Sequence, residues 1–235
     1  IDEYKKEYGQ TIITCYAKID GWSIGIVANQ RNIVKSKSGE MQFGGVIYGD
    51  AADKATRFIA NCNQKKIPLV FLQDVTGFMV GSKAEHSGII KDGAKMVNAV
   101  ANSVVPKFTI IIGNSFGAGN YAMCGKAFDP RLIVAWPTAK IAVMGGSQAA
   151  EVLLQIEKSS ALKNGEQLDE KKESLMKEKI KSKYDEKTDV VFAASQLWVD
   201  AVIDPAETRS WISMGIEIAN QSPIDRKFNM GILQV

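Results

Sequence analysis

Apolar residues follow two kinds of pattern along the chain. Residues 11–19 and 22–28 are rich in β-branched and apolar side chains and flank Asp20-Gly21, a dipeptide that favours a type I′ turn, so they predict a β-hairpin. Residues 67–73 and 107–112 are short, continuous apolar runs, which are typical of strands covered on both faces. Three shorter apolar runs predict further strands, at residues 132–136, 141–144 and 199–203.

Apolar residues at helical spacing predict helices between these strands. The first helix begins with Asp50 as its N-cap and buries one face, made of Ala52, Ala55, Phe58, Ile59 and Cys62. The second spans residues 84–104 and turns four apolar residues inward, Ile89, Met96, Val97 and Val100. Ser147 caps a third helix that runs to about residue 158, and Pro205 opens a last helix that ends near residue 219.

Strands and helices that alternate at this spacing predict an α/β fold with a mostly parallel sheet flanked by helices. We expect a single domain that spans residues 1–235. Residues 159–188 depart from the pattern because they are charged and helix-forming, and we expect one long, exposed helical excursion there with a break at Asn164-Gly165. The lysines between residues 171 and 187 alternate with Glu and Asp, which is typical of a solvated helix face.

Composition narrows the class of protein. The chain has 235 residues, of which 46% are hydrophobic and 23% charged, and no stretch approaches the roughly 20 apolar residues of a membrane helix, so we expect no membrane insertion. The net charge of +3, without a basic cluster, argues against nucleic-acid binding. Cys15, Cys62 and Cys124 lie far apart, which predicts buried free thiols. The first residue is Ile1 rather than Met, which suggests a fragment.

Two glycine-containing segments share one design. Residues 74–81 and 113–121 each follow a buried strand and lead into a helix. Glycines let a ligand approach the main chain, and the N-terminus of a helix offers free N–H donors. Such a place is suited to stabilising an oxygen that becomes negative during a reaction, although glycine-rich turns between strand and helix often serve tight packing alone.

A hydrolase motif overlaps the second of these segments. Residues 113–117 read Gly-Asn-Ser-Phe-Gly, which fits the nucleophile elbow of α/β-hydrolases. The hydrolase triad needs a His after the Ser, whereas the single histidine, His86, precedes Ser115, and we expect it to be a partly exposed structural residue. Asp74 is a possible general base but fits better as the cap of a turn. A Ser–Lys dyad remains open, and no cluster of residues has the spacing of a metal site, so we expect no metal.

Four ordered segments resemble a known family. Residues 67–81, 91–96, 111–125 and 136–146 closely resemble the C-terminal domain of the β subunit of biotin-dependent acyl-CoA carboxylases. The Thr-Gly-Phe-Met-Val-Gly and Gly-Ala-Gly-Asn-Tyr-Ala-Met-Cys-Gly motifs look most like methylcrotonoyl-CoA carboxylase. The resemblance covers nearly the whole chain except residues 159–188. It implies a crotonase-type spiral of ββα units, with an N-terminal acyl-CoA-binding domain that is absent here.

The resemblance also implies the residues of a carboxybiotin site. The backbone N–H groups of Ala118 and Gly119 would stabilise negative charge on the ureido oxygen of biotin. The pocket around it would be shaped by Thr76, Gly77, Phe78, Met79, Val80 and Gly81, together with Gly117, and closed by the turn of Met144, Gly145 and Gly146. Phe78 would be its apolar wall. Because biotin itself is the base, no acid–base side chain is needed.

The implied function is carboxyl transfer from carboxybiotin to methylcrotonoyl-CoA or a similar short-chain acyl-CoA. The cofactor is biotin on a partner's carrier domain, and the partners are a biotin carboxylase or carrier subunit and further copies of the chain, as dimeric units in a hexamer. Active sites of the family form between the N domain of one subunit and the C domain of another, so this chain alone would hold half a site. The compartment would be the cytoplasm in a bacterium or the mitochondrial matrix in a eukaryote.

Three alternatives remain open beside this reading. The carboxyltransferase of a sodium-pumping decarboxylase, of the glutaconyl-CoA or methylmalonyl-CoA type, runs the reverse transfer on a related fold. A non-catalytic assembly half would supply only dimer surface, and the intact Gly117–Gly119 turn argues against it. A freestanding crotonase-type hydratase would need paired Glu residues near these loops, which the sequence lacks.

Overall fold

The computed structural model describes residues 1–36, 38–163, 170–221 and 226–231. The strands in these ranges are β1 (Asp2–Glu3), β2 (Ile12–Ile19), β3 (Trp22–Asn29), β4 (Val34–Lys35), β5 (Met41–Gln42), β6 (Val46–Ile47), β7 (Leu69–Val75), β8 (Gly77–Phe78), β9 (Lys107–Phe116), β10 (Leu132–Ala135), β11 (Lys140–Ala142) and β12 (Ala201–Val202). The helices are α1 (Gly49–Gln64), α2 (Ser82–His86), α3 (Ile89–Ala101), α4 (Gly117–Ala122), α5 (Gly146–Lys163), α6 (Glu170–Thr188), α7 (Val190–Ser195) and α8 (Thr208–Gln221), with 3₁₀ turns at Lys126–Phe128 and Pro205–Glu207.

The main sheet begins with antiparallel strands and continues with parallel ones. Its order in the described residues is β1-β2-β3-β7-β9-β10-β12, with β11 also beside β9. The hairpin of β2 and β3 is confirmed, and both turn residues, Asp20 (φ 48°) and Gly21 (φ 88°), have the positive φ of a type I′ turn. From β3 onward every pairing in this sheet is parallel. The predicted α/β class with a mostly parallel sheet is therefore confirmed.

Helices cover the sheet on both faces. Alternate residues of β7 enter different cores because side chains of a strand point to opposite faces. Phe71 packs in the cluster formed with α1 and α3, whereas Val70 packs in the cluster formed with α8. The two cores hold the carboxyl ends of β7 and β9 side by side, which is where the candidate site lies.

The first two helices differ in part from the prediction. The predicted inner face of α1 is buried, but the helix begins at Gly49, with Tyr48 as its N-cap, so the prediction of Asp50 as the cap is wrong. The Asp50 carboxylate instead accepts from the Gln42 amide (3.3 Å) and lies in the first turn. The predicted helix 84–104 is two helices, because Gly88 adopts φ 98° between α2 and α3.

The second glycine-containing segment is divided between β9 and α4. The prediction that the strand ends at residue 112, before this segment, is wrong, because β9 continues to Phe116 and its last three residues pair with β11. The turn shrinks to the single position Gly117, where α4 begins. The first segment is also more regular than predicted, since Asp74 and Val75 belong to β7.

The charged excursion is part of a helical hairpin, in which residues 159–163 end α5 and residues 170–188 form α6. Helices α5 and α6 pack against each other in opposite directions, as the ion pairs Lys158–Glu173 (2.8 Å) and Lys177–Glu151 (3.3 Å) require. Ser147 does not cap α5, because the helix begins one residue earlier and Ala149 N–H donates to the carbonyl of Gly145. The predicted break at Asn164-Gly165 lies outside the described residues.

All three cysteines are buried and free, as predicted. Burial raises the pKa of the Cys62 thiol to about 12 and that of the Cys124 thiol to about 11, so both stay protonated near neutral pH. Within the described ranges, no helix combines the length and apolar character needed to cross a bilayer.

Candidate functional site

The carboxyl ends of β7 and β9 meet the first turn of α4. Val75 at the end of β7 lies opposite Ser115 near the end of β9, and α4 starts two residues after Ser115. A Cβ atom at Gly119 would lie 2.6 Å from Cγ2 of Val75 and 3.3 Å from Cα of Gly77. Helix α4 therefore packs directly on the end of β7, and only glycine fits at this contact.

The turn after β11 approaches the same point. Ala142 at the end of β11 pairs with Phe116, and Gly117 follows with φ 53°. A Cβ atom at Gly117 would lie 2.9 Å from the carbonyl oxygen of Val143, and one at Gly145 would lie 3.6 Å from the Phe116 ring. The structure thus brings together three segments that the sequence singled out: the beginning of 76–81, the turn at 117–119 and the turn at 144–146.

The segment of residues 76–81 is held from one side by a neighbouring strand. Thr76 donates both its backbone N–H (2.8 Å) and its hydroxyl (3.0 Å) to the carbonyl of Gly45. Strand β8 pairs in parallel with β6, and Met79 N–H donates to the carbonyl of Ile47. The segment is consequently fixed at Thr76–Met79, although it has little regular secondary structure.

The outer part of this segment is open. Val80 is 76% exposed, and Cβ atoms at Gly77 and Gly81 would meet no atom within 4 Å. Phe78 is half-buried, with its ring against Gly93 of α3. Ala118 is exposed in the first turn of α4. Open space next to the main chain therefore lies at Gly77 and Gly81.

The donors of this surface are backbone amides. The first N–H groups of a helix have no partner within the helix. Helix α4 begins after Phe116 without any side-chain cap, so the amides of Ala118 and Gly119 occupy such a first turn. These groups can bind an oxygen that carries negative charge, because the main-chain dipoles of the turn are already oriented.

Ser115 occupies a buried hydrogen-bonded position below this turn. Its side chain is fully buried, its hydroxyl donates to Oε1 of Gln73 (2.6 Å), and it accepts from Nδ2 of Asn120 (2.7 Å). His86 lies exposed at the end of α2 and is not among these partners. Neither a His nor a Lys contacts Ser115 in the described part of the chain, so the hydrolase reading and its Ser–Lys variant lack the base they need.

Asp74 is held by several partners near the carboxyl end of β7. Its carboxylate forms a bidentate ion pair with Arg31 and accepts the backbone N–H of Asn114 at 2.8 Å. A side chain at Gly113 would collide with this carboxylate. Asp74 thus joins the ends of β7 and β9 and is committed to structural partners rather than to proton transfer. In the residues that the structure describes, no group of three His, Cys, Asp or Glu side chains could hold a metal ion.

The sequence family described as the carboxyl transferase domain matches residues 1–230. The chain belongs to this family. Among the relatives of this carboxyl transferase domain, the mitochondrial methylcrotonoyl-CoA carboxylase beta chain of Dictyostelium discoideum is 45% identical over 95% of this chain and 36% of its own length. The biotin-dependent 3-methylcrotonyl-coenzyme A carboxylase beta1 subunit of Mycobacterium tuberculosis is 41% identical over 95% of this chain and 40% of its own length.

Solved structures have the same fold. The beta subunit of P. aeruginosa geranyl-CoA carboxylase superposes with a TM-score of 0.82 at 33% identity, covering 99% of this chain and 41% of that chain. The transcarboxylase 12S subunit superposes with a TM-score of 0.80 at 34% identity, covering 96% of this chain and 40% of that one. The expected crotonase-type fold of the carboxyl transferase domain is confirmed. The chain spans about two fifths of the length of these relatives.

Several residues that shape this carboxyl transferase domain were missed by the sequence reasoning. Gln73 and Asn120 are the polar partners of Ser115, and Gly45 accepts both hydrogen bonds of Thr76. A signal existed for Gln73, because a polar residue inside a continuous apolar strand must find a buried partner. The sequence around Gly45 contains no pattern that predicts this role, because its partner Thr76 is 31 residues away.

Proposed function

We propose that this domain supplies the biotin-facing half of the active site of an acyl-CoA carboxyltransferase. The observation that carries the proposal is the meeting of three glycine-containing segments beside the uncapped first turn of α4, with open space next to Gly77 and Gly81. The described residues of these three segments offer oriented amides and room, and none of residues 76–81, 117–119 and 144–146 has an acid–base side chain. The site therefore suits a ligand that brings its own reactivity.

The residues present fit carboxybiotin. Its chemistry, when bound, is to supply the carboxyl group and the basic ureido nitrogen. The amides of Ala118 and Gly119 would bind the ureido oxygen and stabilise the negative charge that develops on it. Residues 76–81, with Phe78 as an apolar wall, would orient the ring, while Gly117 and the turn of Met144, Gly145 and Gly146 would close the pocket and exclude water.

The relatives, rather than the geometry of this chain, support the proposed substrate and partners. Identities of 41–45% to beta chains named for methylcrotonoyl-CoA support methylcrotonoyl-CoA, or a similar short-chain acyl-CoA, as the acceptor. We infer that acyl-CoA binds mainly to a second, N-terminal domain, that biotin arrives on a carrier subunit, and that copies of the complete subunit assemble as dimeric units of a hexamer. The compartment would be the bacterial cytoplasm or the mitochondrial matrix.

The proposal is tested with the full-length subunit and with the 235-residue chain alone. Transfer of labelled carboxylate from carboxybiotin to methylcrotonoyl-CoA, propionyl-CoA and crotonoyl-CoA is measured for both, and decarboxylation of glutaconyl-CoA by transfer of its carboxyl group to biotin is measured in parallel. We expect transfer by the full-length subunit and none by the isolated chain. Full turnover by the isolated chain would contradict the half-site. A full-length subunit that only decarboxylates would support the decarboxylase alternative, and one without either activity would support an assembly role.

A further inference from the structure

A largely buried network of hydrogen-bonded side chains lies directly under the first turn of α4. The amide of Asn120 donates to the hydroxyl of Ser115 (2.7 Å), and Ser115 donates to Oε1 of Gln73 (2.6 Å). Nε2 of Gln73 in turn donates to the carbonyl of Met123 (2.7 Å). The three side chains thus connect β7, β9 and α4, and their path returns to the residue that follows α4.

These linked hydrogen bonds restrain helix α4 at two points. Asn120 is in the helix itself, and Met123 is its C-cap. Gly125 adds a third contact, because its N–H donates to the carbonyl of Asn120 (2.8 Å) and a Cβ atom there would collide with the Asn120 amide. A helix of six residues that is held at its middle and at its end cannot rotate about its axis without breaking these bonds.

Burial makes the restraint stiff. Gln73 and Ser115 are fully buried, and each of their polar side-chain atoms has a partner. In a medium of low dielectric constant a hydrogen bond is electrostatically stronger, and an unpaired polar group is costly. The alternative orientations of α4 would leave several of these atoms unpaired, so a single orientation is favoured.

We propose that Gln73 and Asn120, acting through Ser115, are positioning residues that set the direction of the Ala118 and Gly119 amides. This inference rests on the proposed function, because those amides matter only if an oxyanion is bound there. Neither side chain needs to touch biotin. Their role is to keep the donors aimed at one point, which is what preorganised electrostatic stabilisation requires.

The variants Asn120→Ala and Gln73→Met, made in the full-length enzyme, test the proposal. Asn120→Ala removes one hydrogen bond of this network and Gln73→Met removes two. Loss of the positioning that one such bond supplies predicts a fall in kcat of about 3- to 10-fold, and Gln73→Met should lower kcat at least as much. The KM for acyl-CoA should stay unchanged, since the acyl half of the site is elsewhere. Thr56→Val is the matched control, because it removes a buried 2.7 Å hydrogen bond inside α1. It should lower thermal stability comparably and leave kcat unaltered.

A double-mutant cycle distinguishes positioning from general destabilisation. If Asn120 acts through Ser115, the pair Ser115→Ala and Asn120→Ala should together lower kcat no further than the more severe single variant. Multiplication of the two single effects would overturn the proposal, as would an equal loss of kcat in Thr56→Val.

Amide hydrogen exchange separates this inference from the proposed function. The amides of Met123, Cys124 and Gly125 are hydrogen-bonded to carbonyls of α4, so they report on how firmly the helix is held. Their exchange should be faster in Asn120→Ala than in the wild type and unchanged in Thr56→Val, whatever the activity. Unchanged exchange in Asn120→Ala would overturn the positioning role alone. A wild-type enzyme without carboxyl transfer, but with the expected exchange pattern, would overturn the proposed function and leave the restraint on α4 supported.

Discussion

The turn at Gly117–Gly119 and the hairpin of α5 and α6 lie on either side of the Met144–Gly146 turn, and they are held by opposite means. The first is fixed by close contacts of Gly119 with Val75 and of Gly117 with Val143, and by the hydrogen bonds of 2.6–2.7 Å that the fully buried Ser115 hydroxyl makes. The second carries exposed ion pairs, in which Glu151 is 66% and Lys177 46% exposed. Buried hydrogen bonds and close contacts restrain atomic positions strongly, whereas exposed ion pairs restrain them only weakly. The region that can do chemistry is therefore also the rigid one.

The strongest test of this difference is to remove one backbone N–H from the Gly117–Gly119 turn. Ala118→Pro deletes a single N–H, and proline is tolerated in the first turn of a helix. In the full-length enzyme we expect kcat to fall by roughly 100-fold or more, the scale of losing one oxyanion donor. Ala118→Gly keeps the N–H and is the matched control. Steady-state turnover and thermal melting are measured for both variants.

Near-normal turnover in a folded Ala118→Pro enzyme would assign the turn to packing alone. Gly119 is a poorer position for this test than its place in the motif suggests. Because a Cβ atom there would lie 2.6 Å from Val75, Gly119→Val would displace α4 from β7 and disturb packing and amides together.

A smaller effect is expected from the serine below the turn. Ser115→Ala removes the hydroxyl that links Gln73 and Asn120, so carboxyl transfer should fall by the equivalent of about 0.5–1.5 kcal/mol, or roughly 2- to 12-fold. A nucleophilic serine would instead be essential. Fluorophosphonate probes should label neither the wild type nor the variant, which mass spectrometry can check. Stoichiometric labelling of Ser115 would revive the hydrolase reading.

The sequence predicted the parts of this fold whose cause is local. The hairpin follows from Asp20-Gly21, and the inner face of α1 follows from its helical spacing. Buried strands were recognised because β7 and β9 are covered on both faces by helices. Each of these features leaves a pattern within a few consecutive residues, and that pattern can be recognised in the sequence directly.

Features that depend on distant partners were not predictable in the same way. The segment 113–116 looks like a glycine-rich loop until β11 pairs with it, and Asp50 looks like a helix cap until Gln42 binds its carboxylate. At the candidate site, the glycines were visible as a motif. The hydrogen bonds that aim the turn join residues up to 50 positions apart, and no local pattern encodes them.

Substitutions that remove the ion pairs between α5 and α6 should have the smallest effect on turnover and stability. Lys158 and Lys177 pair across the hairpin with Glu173 and Glu151, and three of these four side chains are more than 40% exposed. Exposed ion pairs contribute about 0–1 kcal/mol, and salt screens them. Because the double variant Lys158→Ala/Lys177→Ala removes two such pairs, we expect it to change the free energy of unfolding by less than about 2 kcal/mol, with unaltered kcat and a difference that disappears in high salt.

The hairpin and the site are in contact at Gly146 rather than through these charges. A Cβ atom at Gly146 would lie 2.6 Å from Oδ1 of Asp185 on α6, so this glycine sets how closely α6 approaches the Met144–Gly146 turn. Chemical denaturation at low and high salt, together with turnover of the double lysine variant, checks the prediction. A tenfold loss of turnover without unfolding would mean that the ion pairs position the turn, and the contrast between a rigid site and a passive hairpin would fail.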